Sequence, residues 1–486
     1  MSDQSKIDIV LINPLTDWGK EFGVLSSAGA HRPPLNLLNI AAVLLENEYS
    51  VKIIDGALLR GGVQTLIDAI VEIKPKYIGM TAMTSHIHAC GDLASQLKRY
   101  LNKVPVIIGG IHISTLPYET MKNFPSFDIG VVGEGELTII ELLEALDSKR
   151  PITGITGLAL RKGSRVFLTP PRQLIKNLDT LPLPAWHLIP NYVQTYQPTM
   201  TRKTRTPSAY IVTSRGCPFE CSFCNNVIHG RSFRSYSVDY LMKIIDHLIV
   251  EYKIKDLTIY DENLAFARKR IVDFCNKLIE RNYDLTWSCD ARADNVDDGI
   301  LQLMYRAGCR SIWFGMESGD EQMLAKYNKK ITKEKLAKAV ELTRKNKIKS
   351  SGSFIIAGPG DTVASIKNTI HFAKKIGLDY FVPFYYTPIP GTPDYPSIRQ
   401  HGTVDLQYTS ATMTQPTFAP HGMTFRTVKY WYLRSTISFY MQPRILRNQI
   451  KDMGPLYFFR VSTSFLSRSL RMLIARSSYY IKKESD

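Results

Sequence analysis

Long apolar runs are missing from this sequence. In 486 residues no uninterrupted hydrophobic stretch reaches the ~18–20 residues of a membrane span. The opening Met1-Ser2-Asp3-Gln4-Ser5-Lys6 lacks the basic-then-apolar pattern of a signal peptide, so a cytoplasmic protein is expected. Cysteine is scarce. Seven in a chain of this length do not make a disulfide framework, and three of them crowd into eight residues. No internal repeat or low-complexity tract is present, and 44% hydrophobic residues exclude a disordered chain. Acidic residues are rare in one place, the tail. From His421 to Asp486 there are twelve Lys/Arg against three Asp/Glu, which supplies over half of the net charge of +17. Such a surface suits solubility, an anionic membrane face or an acidic substrate. Nucleic acid is disfavoured, because no recognised binding fold accompanies the charge.

What is present alternates. Short β-branched runs at Ile7–Ile12, Val51–Gly56, Tyr77–Thr81, Val104–Gly110 and Asp128–Gly133 read as buried parallel strands with helical patterns between them. That alternation predicts a doubly wound, Rossmann-like α/β domain over residues 1–148. A linker rich in Pro, Thr and Arg follows over 149–206, with a candidate hairpin at Leu158–Leu168 around Lys162-Gly163-Ser164. A second series over 207–395 predicts strands at Ala209–Thr213, Asp256–Tyr260, Leu285–Cys289, Ser311–Phe314, Ser351–Ile356 and Tyr380–Tyr385. Six strand-helix units make a partial TIM-type barrel, with chemistry expected at the C-terminal strand ends. Residues 396–486 form a basic, aromatic-rich and mainly helical region.

The densest chemistry lies in Ser214-Arg215-Gly216-Cys217-Pro218-Phe219-Glu220-Cys221-Ser222-Phe223-Cys224. Three soft thiolates spaced Cys-x3-Cys-x2-Cys suit a 4Fe–4S cluster with one iron left open. Zinc is the competing reading, with His229 as fourth ligand. The loop, with aromatic Phe223 before the last cysteine, resembles the signature of the radical S-adenosylmethionine superfamily over roughly residues 205–395. The resemblance implies that Cys217, Cys221 and Cys224 hold the cluster. It also implies that S-adenosylmethionine chelates the open iron and is cleaved to a 5′-deoxyadenosyl radical. Further segments fall at successive strand ends where that family binds S-adenosylmethionine. Asp261, Glu262 and Asn263 are expected near the methionyl amine, where the family more often has Gly-Gly-Glu. Ser288, Asp290 and Arg292 are expected near the carboxylate or ribose, and Glu317 near ribose hydroxyls. Gly358 and Gly360 allow close backbone approach. Each has a plainer reading as a cap or turn residue. Cys90, Cys275, Cys289 and Cys309 read as buried small hydrophobes, Cys289 being the one nearest the presumed cavity.

The first domain resembles the cobalamin-binding domain of cobalamin-dependent radical enzymes. The resemblance rests on His31-Arg32-Pro33-Pro34-Leu35, on Gly109, Gly110 and His112 after the fourth strand, and on Gly133 and Glu134 after the fifth. It implies that these residues contact cobalamin. The histidine-ligating Asp-x-His-x-x-Gly motif is absent, and His86-Ile87-His88-Ala89-Cys90-Gly91 only echoes it, so no histidine is expected on cobalt. A scaffold or another ligand is the bland alternative.

Leu456–Ile474 fits an amphipathic helix with a broad apolar arc and clustered Arg460, Arg468 and Arg471. That suits either packing on the barrel or lying on the inner face of an anionic membrane. In composition the tail is similar to those of hopanoid methylases and of the anaerobic magnesium-protoporphyrin monomethyl ester cyclase. The expected function is therefore modification of an unactivated carbon of a hydrophobic or lipid substrate, most simply by methylation. An external electron donor such as flavodoxin or ferredoxin is implied. Oxidative cyclisation or C–C bond formation is the first alternative. A non-catalytic cobalamin or redox sensor is the second, and a tail-mediated membrane adaptor the third.

Overall fold

The computed structural model describes residues 7–14, 31–59, 61–199, 201–202, 204–405 and 413–474. Met1–Lys6 lie outside them. Five parallel strands begin the chain: β1 (Ile9–Asn13), β2 (Val51–Asp55), β3 (Tyr77–Thr81), β4 (Val106–Gly109) and β5 (Ile129–Val131). Their order is β2-β1-β3-β4-β5. Both faces of this sheet are covered. Ile9 and Leu11 pack with Leu38 and Leu142, whereas Val10 and Ile12 pack with Leu66 and Leu93. Strands buried on two sides must be apolar throughout, which is why these runs are continuous rather than alternating. The order reverses beside β1, so a crevice opens outside the carboxyl ends of β1 and β3.

The predicted linker is only partly a linker. β6 (Leu158–Lys162) and β7 (Arg165–Leu168) form the hairpin expected around Gly163 and pair antiparallel onto β5. The first sheet therefore runs to Leu168, not to residue 148. Leu158, Ala159 and Leu160 are buried, and their apolar contact draws an otherwise polar segment into the sheet.

The second sheet has six parallel strands in chain order. They are β8 (Ser208–Ile211), then, past a small antiparallel pair β9 (Ser214–Arg215) and β10 (Arg234–Ser235), β11 (Asp256–Ile259), β12 (Thr286–Ala291), β13 (Cys309–Glu317), β14 (Lys349–Ile356) and β15 (Tyr380–Tyr385). β8 and β15 are not paired with each other, so the barrel is open along one side. Most of the covering helices start where the sequence places a cap: Ser237, Asp297, Thr332 and Thr362 each accept from a backbone N–H of the first turn. Cys275, Cys289 and Cys309 are buried in the layer between strands and helices with Trp287 and Phe274. Cys289 thus faces away from the barrel interior, and Cys90 is buried in the first domain.

After the pair β16 (Gly402–Val404) and β17 (Phe418–Pro420), the tail is helical: Phe425–Tyr440, Pro443–Met453 and Pro455–Ile474. The first of these helices lies on the barrel's last strand. Tyr432 stacks on Tyr385 at 4.1 Å, and the Tyr440 hydroxyl donates to the Phe381 carbonyl at 3.0 Å. The outer surface of the tail exposes Ile437, Met441, Ile450, Leu456 and Phe459. The side chains of Leu466, Arg468, Leu470, Arg471, Leu473 and Ile474 lie outside the described ones. Among the described residues no helix is long and apolar enough to cross a membrane.

Trp287 is fully buried, meets Phe274 edge-on at 5.8 Å and donates its indole N–H to the Ala307 carbonyl at 2.8 Å. Trp287→Ala should destabilise the protein by about 3–5 kcal/mol. Urea unfolding of the full chain checks this through the midpoint.

Candidate active site between the two sheets

The cysteine loop begins at the end of β8 and is closed by the β9–β10 pair. Gly216 turns the chain with φ +82°, and a Cβ there would lie 2.3 Å from the Ser232 carbonyl, so no other residue fits. One buried carboxylate fixes the strand end ahead of it. Asp261 accepts from the backbone N–H of Thr213 at 2.5 Å and of Ser214 at 3.1 Å, from the Ser214 hydroxyl at 2.6 Å, and from the Thr213 hydroxyl. Both oxygens are thus taken up inside the protein. The expectation that Asp261 faces a ligand amine is corrected: it pins the loop.

Beyond Gly216 the loop is tied to every side of the barrel mouth. The Ser222 N–H donates to the Tyr327 carbonyl at 3.0 Å, its hydroxyl donates to Asp394 at 2.9 Å, and Phe223 meets the Tyr327 ring edge-on at 5.5 Å. Asn225 donates to the Pro390 carbonyl at 2.7 Å and to Thr115 of the first domain at 3.1 Å. Arg292 lies over Phe219 at 3.7 Å and brings an N–H to within 3.9 Å of the Cys221 sulfur. Cys217 and Cys221 are half-buried and Cys224 is exposed. Three thiols on one braced loop, with an N–H donor at one sulfur, fit a thiolate-held iron–sulfur cluster. His229, the fourth ligand of the zinc reading, instead places its Nδ1 3.2 Å from the Glu134 carboxylate.

Several other expected ligand residues have protein partners. Asp290 pairs with Arg202 at 2.5 Å. Glu317, in the left-handed region at φ +64°, pairs with buried Lys329 at 2.9 Å. Gly315 is required beneath that pair, since a Cβ would lie 2.5 Å from the Glu317 carboxylate. Arg292 also binds Asp294 and the Lys329 carbonyl. Asn263 accepts from the Arg292 N–H at 3.2 Å. Ser288 is buried beside Thr258, and Glu262 remains exposed at the mouth. Gly358 is explained by Tyr327, whose hydroxyl would lie 2.0 Å from a Cβ, and Gly360 by its φ of +82° over Lys326. Asp361 closes that turn through the Gly358 N–H at 2.9 Å.

Across the mouth stand the strand ends of the first sheet. Gly110 has φ +98° and no room for a Cβ against Thr81 and Ala82. Gly109 and Gly133 are more open, and the Gly133 N–H donates to Ser114. His112 is buried beside Thr84, and burial pushes its imidazole down to about 4. Glu134, expected at a cofactor, has both carboxylate oxygens taken up by protein partners. Its carboxylate takes Arg215 at 3.0 Å, Arg234 at 2.9 and 3.1 Å, His229 at 3.2 Å and the Ile175 N–H at 2.9 Å. Arg215 also pairs with Glu136 at 2.5 Å. Burial opposes the Glu134 charge, but the hydrogen bonds from His229 and Arg234 and the charge of Arg215 hold the carboxyl well below its usual range. Sequence reading missed Arg215, although it sits inside the cysteine motif. It also missed Arg202, Tyr327 and Lys329, which carry no local signal.

Two family models match the chain: the B12 binding domain over residues 23–143 and the Radical SAM superfamily over 211–373. An uncharacterized methyltransferase of Pyrococcus horikoshii is 32% identical over 447 residues, covering 91% of this chain and 94% of that protein. The anaerobic magnesium-protoporphyrin IX monomethyl ester cyclase of Rubrivivax gelatinosus is 28% identical over 66% of this chain and 58% of its own length. Among solved structures, TsrM of Kitasatospora setae, a radical S-adenosylmethionine methyltransferase with cobalamin and a [4Fe–4S] cluster bound, superposes with a TM-score of 0.66. It is 18% identical and covers 81% of this chain and 74% of its own.

Glu134→Gln should cost about 3–5 kcal/mol, because it removes the carboxylate that Arg234 and His229 share and leaves Arg215 with Glu136 alone. Adding Arg215→Gln should cost less than the two separate losses together, as chemical denaturation of the single and double variants will show. Because the folded carboxyl lies below its ordinary value of 4.5, this stabilisation is complete above that pH and is lost as the pH falls further.

Proposed function

The chain belongs to the cobalamin-binding radical S-adenosylmethionine enzymes, and on that footing we propose a methyltransferase acting on an unactivated carbon of an apolar substrate. The observation that carries the methyl reading is the archaeal methyltransferase, which aligns over nearly its whole length and over both domains. When bound, the cluster with S-adenosylmethionine supplies a 5′-deoxyadenosyl radical and cobalamin supplies the methyl group.

In this reading Cys217, Cys221 and Cys224 hold the cluster through their thiolates. Arg292 steadies the middle thiolate by its N–H and keeps Phe219 packed beneath its guanidinium. Asp261 sets the loop's height and Glu134 sets its angle to the first domain. Glu262, Asn263 and Glu317 stand at the strand ends toward S-adenosylmethionine, with Ser288 lower, inside β12. Gly109, Gly110 and Gly133 keep the facing strand ends low enough for a flat macrocycle. Lys329 holds one Glu317 oxygen at 2.9 Å, which leaves the other oxygen available as an acceptor.

The barrel wall supports an apolar substrate. Along β13, β14 and β15, Trp313, Ile355, Val382 and Phe384 are half-buried and alternate with fully buried core residues, so they line the interior. Exposed Met441, Ile450, Leu456 and Phe459 beside Lys451 and Arg460 support peripheral contact with an anionic membrane. The electron comes from an external donor protein. Ring or C–C bond formation is the second reading, favoured by the cyclase relative.

After anaerobic reconstitution with iron, sulfide and cobalamin, the reduced protein should form 5′-deoxyadenosine from S-adenosylmethionine, and Cys221→Ala should fall to background. With substrate, a product heavier by one CH2 is expected. A product lighter by hydrogen, with no added carbon, would replace methylation by cyclisation.

A further inference from the structure

The segment just before the barrel crosses its floor. The Thr204 hydroxyl donates to Asp256 at 2.6 Å, and the Thr201 carbonyl accepts from Ser311 at 2.9 Å, both near the N-terminal ends of their strands. Arg202, between them, projects up the interior. Its guanidinium lies 4.6 Å from the Tyr260 ring and 4.7 Å from the Trp313 ring, and its Nη2 binds Asp290 at 2.5 Å. The residue is only 5% exposed, yet its Nη1 has no hydrogen-bond partner among the described residues. A buried guanidinium N–H without an acceptor is destabilising, and a floor needs only bulk, which an apolar side chain would supply. The neighbouring walls are not sealed: Tyr260, Asp290 and Trp313 are only half-buried.

A second arginine converges from the other domain. Arg32, exposed ahead of the helix Leu35–Glu46, lies 4.8 Å from the same Tyr260 ring. Two guanidinium groups thus flank one ring, and Asp290 engages Arg202 through Nη2 while Nη1 has no partner among the described residues. Guanidinium groups bind carboxylates and phosphoryl groups through paired N–H donors, so the uncommitted donor and the second guanidinium call for the same ligand chemistry.

We infer that Arg202 and Arg32 form the receptor for an anionic oxygen group, carboxylate or phosphoryl, carried by the apolar substrate. This rests on the apolar-substrate reading above and narrows it to an amphiphilic acid. The acid group is held between Tyr260 and Trp313, and the chain extends along the Ile355 and Phe384 wall. Asp290 is then a positioning residue that aims Arg202, rather than a contact for S-adenosylmethionine.

The test uses the cobalamin- and cluster-loaded full chain and three probes of equal length below their micelle concentrations: decanoate, decyl phosphate and decanol. Isothermal titration should give at least one acid about tenfold tighter binding than the alcohol, as expected for a charge-assisted contact. Which acid wins separates a carboxylate substrate from a phosphoryl one. Arg202→Gln should bring that acid to within about twofold of decanol, with iron and cobalamin content as the folding check. If that variant loses its cofactors, Arg32→Gln carries the test from an exposed position and should lower the preference by about threefold or more. Equal binding of acids and alcohol by the unaltered protein, no binding of either acid, or a preference that survives these changes overturns the proposal. The radical reading is checked separately by 5′-deoxyadenosine formation in unaltered protein. If that fails while the acid preference is present and lost in Arg202→Gln, the acid site stands and the radical reading falls.

Discussion

The arrangement of the two domains depends on a buried charge cluster centred on Glu134, with Glu136 beside it. Glu134 comes from the first sheet, whereas Arg215, Arg234 and His229 come from the cysteine loop and the strand pair that closes it. A buried ion pair adds little net stability over apolar contact, because desolvation cancels much of the attraction. Its effect is selective. Any rotation of one domain against the other strands Glu134 or Arg215 alone in a dry environment, and that is strongly unfavourable. Arg215 lies two residues before Cys217, so it ties the facing strand ends directly to the start of the cysteine loop, and Asn225 ties the loop's far side to Thr115. Asp261 repeats the principle within the barrel, using backbone N–H groups as partners instead of arginines.

The fold was legible because its signals are local. Strands of the first sheet, buried on both faces, are continuously apolar, and in the second sheet short apolar or β-branched stretches at regular spacing mark each strand to within a few residues. The cysteine loop announced itself by spacing alone. What the sequence concealed is pairwise and distant. Glu134 and Arg215 are 81 residues apart, and Arg202 and Asp290 are 88 apart. No periodicity encodes a partner at that range. Several acidic residues at strand ends were therefore assigned to ligands although they bind the protein itself. Asp261 is the clearest example: a carboxylate at a strand end looks the same in sequence whether it awaits an amine or already holds four donors. The hairpin at Gly163 was visible but its attachment was not, because strand pairing depends on which edge lies near.

The two halves of the molecule manage exposed sheet edges differently. In the first sheet the antiparallel hairpin extends the β5 side. In the second, Tyr192 exchanges hydrogen bonds with Tyr210 along β8, and the helix Phe425–Tyr440 lies on β15. Unpaired strand edges are sites of unwanted association, and covering them with helix or loop is a common remedy. The basic tail therefore has a structural duty at its beginning, where aromatic stacking fastens it to β15. Its exposed apolar residues lie mostly farther out, from Ile437 to Phe459.

An eight-strand barrel that closes on itself has its radius dictated by strand number and shear. Six strands whose ends never meet escape that rule. Here the two margins are held from outside the ladder: Tyr192 hydrogen-bonds along β8, and Tyr432 and Phe439 stack on Tyr385 and Phe381 at the outer face of β15. Changes in those contacts can shift the margins without breaking one rung of the strand ladder. The chamber's size is thus adjustable independently of the chemistry at its rim, as the jaws of a clamp are set independently of what they grip.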